Sequence, residues 1–383
     1  QPILGTATNG QSIGMFFNGS GGTYFSELNL DGLPLTGPTK ITSYISVEMS
    51  GSAIYNFDTG KYYLFEGGGT LIPQDGFGIT ELQKPPGVTE FLSMQSSFYD
   101  MESFATDSMV VVADTDTLHT YLLRYYASDP YQLIDYVDLG ENRDNYYQPH
   151  LNRMVSLYDK NLSLYNYFVA YEIYSGSSHK IKIAKIRGND LYIENTYEIN
   201  LPFEDISSFS IEVSKNSELV ALAYQKTDSD LTMKIFGVTF DKDLTPINPE
   251  FRITNPDTGK YSSMPLLVDN YNTFLLISKE AIKSTYNVEG ARVKVSLVDF
   301  ANQFPPQEIY SAYASDTWLN INNIKGFQNS DKVHLFWNDT RDRNPNSRSI
   351  HYVEARNLHP FAPYNITTYD DEMISQEYEE SLH

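Results

Sequence analysis

A short phrase recurs seven times along this chain and reads most clearly over residues 332–368. Apolar residues alternate at Val333, Leu335 and Trp337, then break at the polar turn Asn338-Asp339-Thr340-Arg341. A second run follows at Ile350, Tyr352 and Val353, then a turn over 357–363 and a short closing run over 364–368. One such unit cannot bury its apolar face alone. Self-similarity of this kind therefore predicts stacked supersecondary units before any single residue is considered.

Each unit can be written as four strands, A to D. The B strands are the strongest, at 12–17, 52–57, 109–113, 167–171, 219–224, 273–277 and 333–337. Each is a compact apolar run of strand length followed by a polar turn. C strands follow at 23–28, 61–65, 120–125, 180–186, 233–240, 293–298 and 349–355. Short D strands read at 39–42, 251–254, 308–311 and 365–368, and the first unit supplies its own A strand at 3–8. Composition agrees: 30 Tyr and 21 Phe favour strands, while 23 Gly and 18 Pro supply turns. The one stretch with helical character is the acidic segment 370–382, which reads as a frayed tail.

An all-β chain of seven such units can close on itself and protect its strand edges. The expected fold is an all-β, seven-bladed β-propeller of four-stranded antiparallel blades, forming a single domain over 1–368. The blades lie near 1–42, 43–82, 98–139, 147–200, 206–254, 262–311 and 317–368, with an acidic tail at 369–383. Residues 84–97, which start at Pro85-Pro86-Gly87, read as an insert between blades, either lid or spacer.

Charge and cysteine content exclude several function classes. The net charge of -22 repels phosphate backbones and anionic lipid, so neither nucleic acid nor a membrane surface is an expected partner. The chain holds no cysteine, which removes disulfides, thiol catalysis and thiolate metal sites. No apolar run approaches the ~20 residues that cross a bilayer as a helix. Beginning at Gln1, the chain reads as a processed or trimmed product. Sequons at Asn18, Asn161, Asn338 and Asn365 add weight to an extracellular or surface-displayed location.

The last unit resembles the sialidase-like and lectin-like propellers, whose blades often carry a Trp-x-Asp-x-Arg phrase between strands B and C. Here it reads Trp337-Asn338-Asp339-Thr340-Arg341, followed by Ile350-His351-Tyr352; elsewhere it shortens to Ala113-Asp114-Thr115-Asp116, Tyr171-Glu172 and Tyr224-Gln225. The resemblance implies the propeller architecture, with ligands docking on the face that holds the B–C turns and D–A connections. Activity is a separate matter, since function lives in sites grafted on folds. The Ser-x-Asp-x-Gly-x-Thr-Trp box of sialidases is missing, and Arg341, Arg343 and Arg348 crowd into one unit.

On that face the candidate ligand-binding residues are Asp114, Asp116, Tyr146, Tyr147, Tyr261, Trp318, Asp339 and Arg341. Aromatic faces stack on sugar C–H patches while fixed polar groups read hydroxyls, so this mixture suits carbohydrate. The same Asp and Asn residues also make tight hairpins. Three inferred A strands place a carboxylate near one register, at Glu48, Glu102 and Glu212, with His150 in another A strand. Converging on a central channel, these would hold a hard cation such as calcium through oxygen ligands. They would otherwise raise one another's pKa for acid–base work, or simply face solvent. No other cofactor is expected, because the chain has neither a phosphate-binding loop nor a Gly-x-Ser-x-Gly elbow.

Three readings stay open. The first is a secreted or surface-displayed, non-catalytic binding protein whose propeller face recognises a glycan or a surface protein. The second is a sialidase-like glycoside hydrolase that uses two carboxylates at controlled separation. The third is a structural component of an appendage or virion, packing against its own copies.

Overall fold

The computed structural model describes residues 3–19, 21–43, 51–89, 91–98, 108–115, 119–141, 152–175, 178–201, 208–214, 216–228, 232–254, 262–270, 273–283, 288–302, 306–315, 322–329, 332–339, 349–356 and 366–369. The chain divides into two compact units, Leu4–Phe203 and Glu204–His383 with Gln1–Ile3.

The first unit holds four sheets. Sheet 1 is β1 (Ile3–Thr8), β2 (Ser12–Gly19), β3 (Gly22–Asn29) and β4 (Thr39–Thr42). Sheet 2 is β5 (Gly51–Asn56), β6 (Lys61–Glu66), β7 (Thr70–Pro73) and β8 (Thr80–Glu81). Sheet 3 is β9 (Phe91–Phe98), β10 (Ser108–Thr115), β11 (His119–Tyr126) and β12 (Leu133–Glu141). Sheet 4 is β13 (Asn152–Asp159), β14 (Leu164–Ser175), β15 (Ser178–Arg187) and β16 (Ile193–Leu201).

The second unit holds three more. Sheet 5 is β17 (Phe209–Ser214), β18 (Leu219–Thr227), β19 (Met233–Phe240) and β20 (Pro246–Arg252). Sheet 6 is β21 (Ser262–Asn270), β22 (Thr273–Lys283), β23 (Val288–Val298) and β24 (Gln307–Ser315). Sheet 7 is β25 (Asn322–Asn329), β26 (Lys332–Asp339), β27 (Ser349–Arg356) and β28 (Ile366–Tyr369). All seven sheets are four-stranded, and each pairs its strands in chain order.

Period-two alternation explains how the sheets stack. A strand covered on both sides must be apolar on both faces, and the second strands are. In β6, Tyr62 and Leu64 join Leu4, Phe16 and Ile41 of sheet 1, whereas Tyr63 and Phe65 join Phe91, Leu123 and Tyr125 of sheet 3. In β22, Phe274 and Leu276 meet Ala221 and Ala223 of sheet 5, whereas Leu275 and Ile277 meet Leu335 and Trp337 of sheet 7. A further layer, containing Leu122 and Val169, joins sheets 3 and 4.

Within the first unit β5 packs on β9 and β9 on β13; within the second, β17 packs on β21 and β21 on β25. First strands therefore face one another, and last strands such as β20 and β16 lie largely exposed. Five apolar layers between consecutive sheets occur among the described residues. A closed ring of seven blades, as the sequence led us to expect, needs seven.

Polar ties also cross between sheets. Arg124, buried in β11, clamps Asp135 of β12 through both its Nε (2.8 Å) and Nη2, and donates from Nη1 to the Gly188 carbonyl of sheet 4 (2.8 Å).

Two expectations about sheet 2 and sheet 3 change. The run at 52–57, expected as a B strand, belongs to β5, the first strand of sheet 2, and 61–65 is the second strand instead of the third. Gly67–Gly69 is accordingly the B–C turn, a short 3-10 segment. The second half of the expected insert at 84–97 belongs to β9, the first strand of sheet 3. Both shifts have one cause: β7 and β8 are so short that their sequence gives little strand signal, which moved the frame by one strand. The sequon Asn18 is buried inside β2, with Thr23 donating to its Oδ1 (3.3 Å), and is no accessible acceptor.

Candidate functional site

In a four-stranded meander the A–B and C–D turns share one end, and the B–C turn shares the other with the entry and exit of the chain. Buried and half-buried polar groups occupy both ends. At the A–B and C–D end they close turns: Asn56 Oδ1 accepts the Asp58 and Thr59 amides (3.0 and 3.1 Å), and Asp159 Oδ1 accepts the Asn161 amide (2.8 Å). Asp241 does the same for Asp243 and Thr245 (2.9 and 2.8 Å). Ionisable side chains are buried toward both ends: Arg124, Asp159, Lys185, Asp269 and His334 toward the A–B and C–D end, and Glu66, Glu172, His179, Lys234, Lys279 and Glu280 toward the B–C end. A charge removed from water needs a partner or shifts its pKa.

Sheet 6 gathers the largest set. β22 runs eleven residues, Thr273–Lys283, and embeds Lys279 and Glu280 between the apolar Ile277 and Ala281. Period two puts Lys279 in the row of Leu275, Ile277 and Ala281, and register pairs it with buried Val293 on one side and Ser263 on the other. Burial in this row lowers the ammonium from 10.5 to about 8, close enough to neutrality for the amine to exchange its proton under ordinary conditions.

Glu280 stands on the other face, 3.8 Å from both Arg292 Nε and Lys294 Nζ. Lys294 continues to Glu308 at 2.9 Å. Burial acts to raise the Glu308 carboxyl, but the Lys294 bond and charge, with help from Ser311 and Arg292, outweigh it and hold the group below its ordinary value. The set is a cross-strand ladder of alternating sign.

The backbone beside this set is strained. The β21–β22 register shifts between Ser263 and Leu266, and the inserted Met264 has φ +53°. The other non-glycine residues with positive φ, namely Ser163, Leu191, Glu218 and Leu244, lie in turns or links. Among the described residues Met264 is the one inside a strand. A left-handed non-glycine residue costs about 1–3 kcal/mol and persists where the surroundings over-determine it. Pro265 follows it and withholds one ladder donor, as expected at a bulge. The bulge re-aims Ser262 and Ser263, both buried, immediately after the connection 255–261.

Sheet 4 carries a smaller set. Arg153 of β13, Glu172 of β14 and His179 of β15 share a face, and His179 Nε2 stands 3.6 Å from Glu172 Oε1. Burial lowers the Arg153 guanidinium while Glu172 opposes the shift; the group stays charged regardless. In sheet 5, Arg252 bonds Asp228 of the B–C turn (2.6 Å), and Glu250 accepts from both Tyr224 and Lys226. Burial raises the Glu250 carboxyl, yet it sits on the outermost strand.

The residues expected from sequence are only partly placed. Asp114 is in β10, paired with Thr120, and Asp339 ends β26, paired with Ser349; both flank B–C turns. Asp116, Tyr146, Tyr147, Tyr261, Trp318 and Arg341 lie outside the described residues, as do Glu48, Glu102 and His150.

The strand frame from which Glu48 and Glu102 were set in register differs from the one observed, since the described first strands of sheets 2 and 3 are Gly51–Asn56 and Phe91–Phe98. Glu212 is in the first strand of sheet 5 as expected, where its Oε1 accepts the Val213 amide (2.9 Å). Among the described residues no group of three or more His, Asp and Glu side chains could hold a metal ion. Lys279, Glu280 and the Met264 bulge were missed. Their signals were Met-Pro inside a strand, and Lys-Glu bracketed by apolar residues.

No protein-family model matches the sequence, nor does any curated protein. Solved structures do. A Mycobacterium tuberculosis puromycin-hydrolyzing peptidase is 8% identical with TM-score 0.53, over 96% of this chain and 53% of that one. Drosophila semaphorin 2a is 9% identical with TM-score 0.48, over 84% and 68%. An α-L-arabinanase of Penicillium chrysogenum is 8% identical with TM-score 0.42, over 69% and 87%. This chain spans about half of the peptidase's length. At such identities the likeness speaks for fold alone. The chain is an all-β protein of the propeller class, with four-stranded antiparallel blades. No helix among the described residues is long and apolar enough to cross a membrane.

Proposed function

We propose that this chain is a non-catalytic binding protein, secreted or surface-displayed, which recognises a glycan or a surface protein on the end that carries its B–C turns. The proposal includes closure of the seven sheets into one ring over residues 1–368. It also assigns Asp114, Asp116, Tyr146, Tyr147, Tyr261, Trp318, Asp339 and Arg341 to the ligand.

One observation carries the reading. Glu280, the described buried carboxylate of sheet 6 at this end, faces Arg292 and Lys294 of the neighbouring strand, and Lys294 continues to the exposed Glu308 of β24. Hydrolysis of a glycoside needs one carboxyl kept protonated beside its partner. Glu308 is held in the charged form, and Glu250, which burial raises, sits on the outermost strand of sheet 5 and accepts from Tyr224 and Lys226. A ladder of fixed, neutralised charges suits recognition, where positioned polar groups read a ligand without exchanging protons with it.

The test is glycan-array binding by the full chain, with and without calcium, followed by product analysis of any hit. Retained, unmodified glycan is expected, weakened at least tenfold by Asp339→Ala and Arg341→Ala. Cleaved glycan would sink the non-catalytic reading and make a hydrolase of the chain. Silence across the array would leave the surface protein as ligand, to be sought with the same two variants as controls.

A further inference from the structure

At the opposite end of sheet 2 a phenylalanine is displayed to solvent from a backbone that is held on every side. Phe77 is 78% exposed and lies between Gly76 (φ +70°) and Gly78 (φ +81°), conformations that glycine adopts without strain. The Gly76 amide donates to the Pro73 carbonyl (2.9 Å) and the Phe77 amide to Asp75 Oδ1 (3.1 Å). The Gly78 carbonyl accepts from the hydroxyls of Tyr131 (2.8 Å) and Thr80 (3.1 Å), and Lys61 bonds Asp75 (2.7 Å). A Cβ on Gly76 would stand 2.4 Å from the Ile41 carbonyl of sheet 1. The turn is thus wedged between its neighbours. Nothing in the fold is gained by leaving this ring in water.

Such bracing matters for association. Docking a mobile loop forfeits backbone and side-chain freedom, whereas a ring on a fixed turn forfeits little and gains the full benefit of leaving water. Other apolar side chains are exposed at the same end of the same sheets: Leu35 of sheet 1, Phe57 and Ile79 of sheet 2, and Tyr126 of sheet 3. Asn56 Nδ2 bonds the Ala127 carbonyl (2.9 Å), and the Gln83 amide bonds the Tyr131 carbonyl (3.0 Å), so these turns form one joined surface.

Its charge is acidic. Asp75 and Asp129 both act on Tyr131, Asp58 follows Phe57, and Glu81 lies beyond Ile79. The cations beside them, Lys61 and Lys84, are already engaged by Asp75 and Glu81.

We propose that this end of sheets 1 to 3 is a docking surface for a protein partner that is basic around an apolar socket, with Phe77 as the anchor. Charge complementarity selects the partner: carboxylates ring the apolar side chains, and a chain with net charge -22 repels its own copies and anionic lipid alike. Anchors of this type, aromatic and central, carry most of the binding energy of protein interfaces. The surface lies at the A–B and C–D end of sheets 1 to 3, uses none of the residues of the ligand site proposed above, and stands or falls independently of it.

The test uses the full chain and two labelled amphipathic peptides, one alternating Lys with Leu and the other Glu with Leu, read by fluorescence anisotropy. The Lys/Leu peptide is expected to bind saturably and the Glu/Leu peptide not at all. Phe77→Ser should weaken binding at least tenfold without moving Tm, while Phe77→Leu retains most of it. Equal binding by wild type and Phe77→Ser, or equal binding of both peptides, would overturn the proposal. So would self-association in the ultracentrifuge that Phe77→Ser abolishes, since that would give the surface to a second copy.

Discussion

Lys279 shows how a single side chain is set by the row it occupies. Ile277 and Ala281 in its row and Val293 across from it are apolar and buried, and Ser263 on the other side is buried too, so the ammonium loses hydration and its pKa falls to about 8. In the unfolded chain the same group titrates near 10.5. Between those values the unfolded state binds more protons than the folded one, so stability rises with pH through that window. Below it the penalty is fully present and amounts to about 3 kcal/mol at most. Lys279→Met keeps the unbranched stem and removes the charge. The variant should therefore be more stable than wild type at neutral pH, and its denaturant midpoint should change less from pH 8 to 10. Wild-type stability that stays flat across that window would show that the amine is not desolvated.

At the scale of the element, the layers between sheets decide what each strand tolerates. Gly237, in the middle of β19, leaves room for sheet 6: a Cβ there would lie 2.5 Å from Phe300 Cε1 and 2.6 Å from Ile253 Cδ1. Both neighbours are almost fully buried in the layer between sheets 5 and 6. Gly237→Ala should destabilise by about 1–3 kcal/mol through overpacking, measured by chemical denaturation. A neutral result would mean that the layer is loosely packed.

The same layers explain what the sequence made legible. Second strands such as β14, β18 and β22 are buried on both faces, so their runs of apolar residues stand out and six of the seven expected runs are second strands. Sheet 2 went astray because β7 and β8, at four and two residues, are too short to carry a pattern. The candidate site was hard to read for a different reason. Lys279 and Glu280 end no apolar run; they interrupt one, so the apolar pattern marks the strand only as far as Ile277 whereas β22 continues to Lys283. Ladders such as Glu280–Lys294–Glu308 join residues on three strands, and only register brings them together.

For the whole molecule the question is whether sheets 1 to 4 and sheets 5 to 7 unfold together. Each unit has apolar layers of its own, so each meets the first requirement for folding alone. A single ring over 1–368 would couple them, because a blade lost anywhere leaves two faces bare. The proposed ring predicts one cooperative transition. Gly237→Ala in one unit and Gly76→Ala in the other, where the new Cβ would meet the Ile41 carbonyl, should each shift that whole transition downwards. Separate units predict two transitions, with each substitution moving only its own. Calorimetry of the two variants beside wild type distinguishes these outcomes. It should be run at two ionic strengths, since screening a net charge of -22 should raise every transition without changing their number.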